Sequence, residues 1–268
     1  MRTKTLLCAA ALAAGVATSM AQSNVYSLNI VGYANVPTTV GYTYQSNPFN
    51  NSNNTAGIVI PNPNPDPSGT SGQTGPWDGS SLQTWTGVGF KVALFDSLTD
   101  DTTTGFTDPN GNAVPQPVLT SGMGYLINNG GVSNVITYVG DVRGPGTNVL
   151  ALASRVTPYA VGSMLPLAGG VSAALGFTNP NPDPTGTSGQ TGPQDGNSIQ
   201  TLKTAPNGAA IGYRVSLFDS LTDDTTTGFT DPNGNAVPEP VIPIGGGFFY
   251  VNASGSTFNW TQILTNSP

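Results

Sequence analysis

The sequence predicts an all-β protein: two tandem homologous units, each β-sandwich or barrel-like, behind a cleaved signal peptide. Three observations predict it. A 21-residue stretch, FDSLTDDTTTGFTDPNGNAVP, stands at 95–115 and again, letter for letter, at 218–238. Short apolar alternations recur between Gly, Pro and Asn, the pattern of strands separated by turns. The first residues have the layout of an export signal.

That signal occupies 1–21. Arg2 and Lys4 supply its positive start, Leu6 to Thr18 (LLCAAALAAGVAT) its apolar run, and Ser19 and Ala21 the small residues that place cleavage before Gln22. The run is shorter than the ~20 apolar residues a membrane-crossing helix needs. No transmembrane segment is therefore expected. The expected location is secreted, extracellular or at the cell surface, with the periplasm as the other compartment that export reaches.

The duplication extends well beyond the identical stretch. NPNPDPSGTSGQTGPWDG at 62–79 returns as NPNPDPTGTSGQTGPQDG at 179–196, and FKVALFDSLTD at 90–100 as YRVSLFDSLTD at 213–223. SGMGYLINN at 121–129 corresponds to IGGGFFYVN at 244–252. The offset is 117 residues (62 to 179) early and 123 (90 to 213) later, so the second copy carries an insertion around TAPNGAA at 204–210. The expected units are 22–140 and 141–268, each the size of a small domain.

Within a unit the elements follow in order. Tyr26-Leu28-Ile30 opens the first unit as a strand. Proline at 61, 63, 65 and 67 removes ladder donors, so 61–76 reads as an extended surface loop. Phe90-Val92-Leu94, Tyr125-Ile127 and Val135-Thr137-Val139 read as strands. No stretch after the signal holds a convincing helical period; AGGVSAALGF at 168–177 is the best candidate, weakened by paired glycines. Three boundary strands are expected, NIVGYANV (29–36), ITYVGDVR (136–143) and TFNWTQIL (257–264), with the middle one shared between units. The terminal strands then have spare edges, and self-association through them, head to tail, is the expected protein contact. Their pairing within one molecule is the alternative.

Composition excludes several functions. Removing 1–21 takes away the only cysteine, and the chain has no histidine, so neither a disulfide nor a His- or Cys-based nucleophile or zinc site is available. Once Arg2 and Lys4 are removed, 14 acids face 5 bases. Duplex nucleic acid is not an expected partner, because phosphate binding needs a basic footprint.

NVYSLNIVGYANVPTTVGYTYQSNPFN, the GMGYLINN and GGGFFYVN segments and VITYVGDVRG carry a resemblance. Together they resemble a family of exported bacterial tandem-repeat β-proteins with VGYVNV and PGEGFF motifs. The resemblance spans most of residues 22–268 and implies export and duplication. In this chain GMGY and GGGF replace the acidic GEGF, and the family supplies no functional residue to carry over.

The remaining candidate chemistry is that of carboxylates. Asp96-Ser97 and Asp219-Ser220, each after Leu-Phe, have the look of a duplicated aspartic-protease motif, but Leu98 and Leu221 stand where a turn glycine is needed. A strand end followed by an Asp-initiated turn explains them. Glu239 is the only glutamate and its counterpart is Gln116, so no glycosidase pair is visible. Asp108, Asn110 and Asn112, with Asp100 and Asp101 upstream, place oxygens as at the start of a calcium loop. Asp231, Asn233 and Asn235, with Asp223 and Asp224, repeat the set. A plain Asn-Gly turn capped by the aspartate explains the same residues first; calcium is the one candidate cofactor. Trp77, Trp85 and Trp260 are candidate sugar platforms, with core packing the leading reading. The function expected is that of an exported, non-enzymatic structural or interaction protein of the cell surface or extracellular matrix. A glycan-binding module is the alternative, and an Asp-dependent hydrolase comes third.

Overall fold

A computed structural model describes residues 31–51, 53–64, 73–97, 104–144, 146–180, 191–220 and 228–264. The signal segment, the expected strand Tyr26–Ile30, most of both proline-rich loops, and Asp100, Asp101, Asp223 and Asp224 lie outside these residues. In the first half the elements are β1 (Val31–Thr38), β2 (Gly41–Ser46), the one-turn helix α1 (Ala56–Val59), β3 (Ser81–Trp85), β4 (Phe90–Phe95), β5 (Phe106–Thr107), β6 (Gly124–Asn129) and β7 (Asn134–Asp141). In the second they are β8 (Gly146–Leu152), β9 (Arg155–Gly162), β10 (Gly169–Gly170), β11 (Ser198–Thr204), β12 (Ala210–Phe218), β13 (Phe229–Thr230), β14 (Val241–Ile242), β15 (Gly247–Asn252) and β16 (Phe258–Leu264). The chain is all-β, and its strand pairings are antiparallel.

Sheet one runs β2-β6-β3-β4-β5 and sheet two β9-β15-β11-β12-β13, so the repeat offset carries one strand order onto the other. Three two-stranded pairings complete the fold: two outer ribbons, β1 with β7 and β8 with β16, and the short β10 with β14. Among the described residues no sheet closes on itself, which favours the sandwich over the barrel.

Side-chain alternation sets the order of layers. On β6, Tyr125 and Ile127 point to a core shared with Val36 of β1 and with Ile136 and Tyr138 of β7, while Leu126 points the other way. On β15, Phe248 and Tyr250 point to a core shared with Leu152 of β8 and Trp260 of β16, while Phe249 faces Leu126 and Tyr44. The stack is therefore ribbon, sheet, sheet, ribbon, with three apolar interlayers. Antiparallel sheets commonly keep one face in water; here β6 and β15 are covered on both faces and buried along almost their whole length. Phe249 centres the middle interlayer. Its ring meets Tyr44 at 5.1 Å, Trp85 at 5.2 Å and Tyr213 at 5.3 Å, all edge-on. Such pairs contribute about 0.5–1.5 kcal/mol each beyond the area they bury.

The sheet edges are stitched reciprocally. Gln45 of β2 bridges to Gly246, and Val161 of β9 to Met123, each partner lying just before a central strand of the other sheet. From Val31 onward the chain is one compact unit. The expected 140/141 boundary falls at the end of β7.

One expectation is corrected, and a weak helix candidate is resolved. There are four boundary strands: β7 pairs with β1, and a separate β8 pairs with β16, so neither terminal strand lacks a partner within the chain. A two-stranded ribbon is what each outer core needs as a lid, and one shared strand could not cover both. The helix candidate 168–177 forms only a turn at 171–175 after the short β10, because Gly169 and Gly170 pair with β14. The four-residue α1 lies in the first half instead.

Gly162 marks the tightest of the stitches. A Cβ there would lie 2.1 Å from the Cβ of Ser46. Gly162→Ala is expected to destabilise by about 1–3 kcal/mol through overpacking. Gly89→Ala, where nothing lies within 4 Å, should stay within about 0.5 kcal/mol. Urea unfolding of the two variants checks the difference.

Candidate functional site

The duplicated loops were the strongest sequence signal, and both are held by the same side chains. Asp78 accepts from Asn62 Nδ2 at 2.6 Å, from the Ser97 backbone N–H at 3.0 Å and from Ser97 Oγ at 2.5 Å. Asn62 Oδ1 accepts from the Trp77 N–H, and Ser97 Oγ from the Gly75 N–H. In the second copy Asp195 accepts from Asn179 Nδ2 at 2.6 Å, from the Ser220 N–H at 3.0 Å and from Ser220 Oγ at 2.7 Å. Asn179 Oδ1 accepts from the Gln194 N–H, and Ser220 Oγ from the Gly192 N–H. This clasp ties the proline-rich loop to the end of β4 or β12. It gives the retained Asn-Pro, Asp-Gly and Asp-Ser letters a common task, which sequence reasoning missed. The available signal was that Asn62, Asp78 and Ser97 are each identical to their counterparts.

The candidate calcium residues fall into two groups. Asp100, Asp101, Asp223 and Asp224 lie outside the described residues. Asp108, Asn110 and Asn112 do come together, as a turn. Asp108 Oδ1 accepts from the backbone N–H of Asn110 at 2.8 Å and of Asn112 at 2.9 Å, and Asn112 Nδ2 donates to Oδ2 at 3.0 Å. Asp231, Asn233 and Asn235 repeat the arrangement. The carboxylate is thus directed at N–H donors of its own loop, and Asn110 and Asn233 contribute backbone. Among the described residues no three His, Cys, Asp or Glu side chains gather.

Glu239, its counterpart Gln116, Asp96 and Asp219 also have local roles. Glu239 Oε1 accepts from the Ser172 N–H at 2.6 Å, capping the 171–175 turn. Its counterpart Gln116 accepts from the Gly57 N–H at 3.1 Å, at the equivalent turn in α1. Asp96 and Asp219 close their loops by backbone bonds to Gly105 and Gly228.

The tryptophans serve the interior. Trp77 and Trp260 are 3% and 0% exposed, which removes both as sugar platforms. Trp85 is half-buried between the sheets and donates its indole N–H to the Pro158 carbonyl at 2.9 Å. The two outer cores solve one packing problem differently. The first takes its indole from the loop and a phenol from the ribbon: Trp77 packs on Phe95, and Tyr138 shares a 2.5 Å hydrogen bond with Tyr125. The second takes its indole, Trp260, from the ribbon, while Gln194 from the loop accepts from Tyr250 Oη at 2.6 Å. Burial pushes the Tyr125 and Tyr138 phenols well above their ordinary range, so this pair is a neutral structural contact.

The side-chain amide of Asn112, then backbone N–H groups, hold the Asp108 carboxyl below the ordinary aspartate range, and Asn235 does the same for Asp231. The folded values are depressed. The stability these groups contribute is therefore present above the unfolded-state value and lost as the pH falls through the folded ones. Carbon-detected NMR titration is expected to give midpoints for both below those of aspartate in a peptide; midpoints at or above that value contradict the capped turn. Compared with family models, with curated proteins and with solved structures, the chain matches none.

Proposed function

We propose that the chain is an exported, non-enzymatic structural protein that assembles with copies of itself at the cell surface or in the extracellular matrix. The observation that carries this reading is the state of the two outer ribbons. Each closes a core with one side and leaves the other side bare. On the first ribbon Val31, Tyr33, Val135 and Val139 are 67%, 75%, 51% and 49% exposed. On the second, Val149 and Ile263 are 50% and 59% exposed.

The ribbon edges add to this. Among the described residues, no strand pairs with the second edge of β1 or of β16. Neither strand carries a charged residue, and charge is a common means of blunting an edge against another chain. The ribbons are the outermost layers on opposite sides of the stack. A contact from the β1 edge of one molecule to the β16 edge of the next is heterologous, and such contacts propagate when the rotation does not close. The signal layout at 1–21 supports export. The carboxylates of Asp78, Asp195, Asp108, Asp231 and Glu239, engaged in clasps, turns and a cap, favour a structural role over hydrolysis.

Size-exclusion chromatography with light scattering and negative-stain microscopy of residues 22–268 test the reading. The expected outcome is concentration-dependent oligomers or filaments, lost in both Tyr33→Lys and Ile263→Lys. These substitutions place charge on outward positions and leave the cores intact. A chain that stays monomeric at every concentration contradicts the proposal.

A further inference from the structure

Four Asn-Gly pairs occur in the chain, at 110–111, 129–130, 207–208 and 233–234. Asparagine is a chemically labile residue, and a following glycine makes it more so. The glycine backbone nitrogen loses its proton to solvent and attacks the asparagine Cγ. The Cγ–Nδ2 bond breaks, ammonia leaves, and a succinimide ring remains. Water then opens the ring. Hydrolysis at Cγ gives aspartate, and hydrolysis at the main-chain carbonyl gives isoaspartate, with the chain rerouted through the side chain. Glycine favours the attack because it has no Cβ to restrict its backbone. A buried asparagine, or a glycine nitrogen that cannot swing towards Cγ, resists it.

The fold separates the four pairs. Asn129 is 1% exposed, and its amide is engaged at both ends, Nδ2 donating to the Val132 carbonyl and Oδ1 accepting from the Gly131 N–H. Asn207 is exposed, but Gly208 is packed against the Val40 backbone. The Gly208 N–H donates to Ala205 and its carbonyl accepts from the Tyr42 N–H, which fixes it to β2. Asn110 and Asn233 stand instead on exposed turns, and nothing lies within 4 Å of a Cβ built on Gly111 or Gly234.

One aspartate restrains each of these turns. The Asp108 carbonyl accepts from the Gly111 N–H, the reacting nitrogen, at 2.9 Å. Its Oδ1 accepts from the N–H on either side, Asn110 at 2.8 Å and Asn112 at 2.9 Å. A single residue thus grips three successive N–H groups, and Gly111 N must turn out of that grip to reach Cγ. The ionised carboxylate also opposes loss of the Gly111 proton, which would leave an anionic nitrogen close to a like charge. Asp231 does the same for Gly234, Asn233 and Asn235.

We infer that Asn110 and Asn233 are the deamidation sites of this chain, and that Asp108 and Asp231 hold the reaction in check. The duplicated DPNGN letters then supply both the turn and the guard that its Asn-Gly pair needs. Conversion undoes the turn: isoaspartate lengthens the backbone between Asp108 and Asn112, and aspartate sets a second negative charge near the first. The inference does not depend on self-assembly.

Peptide mapping by mass spectrometry tests it on residues 22–268 held at mildly alkaline pH, folded and in urea. Gln116 and Glu239 distinguish the fragments of the two copies. In urea the four pairs are expected to convert at similar rates, and in the folded chain all four slow down. Asp108→Ala should speed conversion at Asn110 by about tenfold, making it the fastest of the four, and leave Asn233 unchanged. Asp231→Ala should do the reverse, so each variant carries its own reference. An unchanged rate at Asn110 in Asp108→Ala overturns the assignment. So does equal acceleration in both copies, which would report loosening of the whole fold, or faster conversion at Asn129 or Asn207 in either variant.

Discussion

β6 and β15 are dry on both faces, and most of the fold follows from that constraint. A strand between two apolar layers cannot alternate polar and apolar side chains. It must be apolar at nearly every position, as GYLINN and GFFYVN almost are. Each outer face then needs a lid, which the ribbons provide. Each inner face needs another sheet, which the other half provides. Phe249, ringed by Tyr44, Trp85, Phe90 and Tyr213, is where this mutual covering is most concentrated. Neither five-stranded sheet has a second apolar partner if the other is removed, so the duplication serves packing as well as descent.

This frame shows what was legible in the sequence. The β character, the turns at Asn110-Gly111 and Asn233-Gly234 and the shared strand order could be read, because period-2 patterns and turn residues act locally. The direction of a strand's faces could not. Val135, Thr137 and Val139 marked a strand, yet Val135 and Val139 are exposed, and Ile136 and Tyr138 face the core. When both faces of a strand carry apolar residues, alternation no longer says which is inside. The fourth boundary strand was missed for a similar reason. TNVLALA at 147–153 carries little β-branched or aromatic signal, and only its pairing with β16 makes it a strand. The weak helix candidate at 168–177 is a turn, because Gly169 and Gly170 pair across the chain with β14.

Of the candidate site residues, the turn at Asp108 and its repeat at Asp231 were legible as capped turns. The clasp of Asn62, Asp78 and Ser97 was not, since its members are 16 to 35 residues apart and meet only through the fold. The contrast between loops and cores is informative. The clasps keep the same side chains and nearly the same distances in both halves. The cores trade an indole between loop and ribbon, with Gln194 filling the vacated place. A core asks only for volume and satisfied polar atoms, whereas a hydrogen-bonded clasp depends on particular donors and acceptors at fixed reach. Identity between copies in a loop therefore signals geometry here, and divergence in the core signals tolerance.

The central claim is that the two halves stabilise one another through the middle interlayer and do not behave as independent domains. Differential scanning calorimetry of residues 22–268 tests it most directly. The account predicts one reversible transition in which the calorimetric and van't Hoff enthalpies agree, the mark of a single cooperative unit. Two resolved transitions, or a van't Hoff enthalpy near half the calorimetric one, would contradict it.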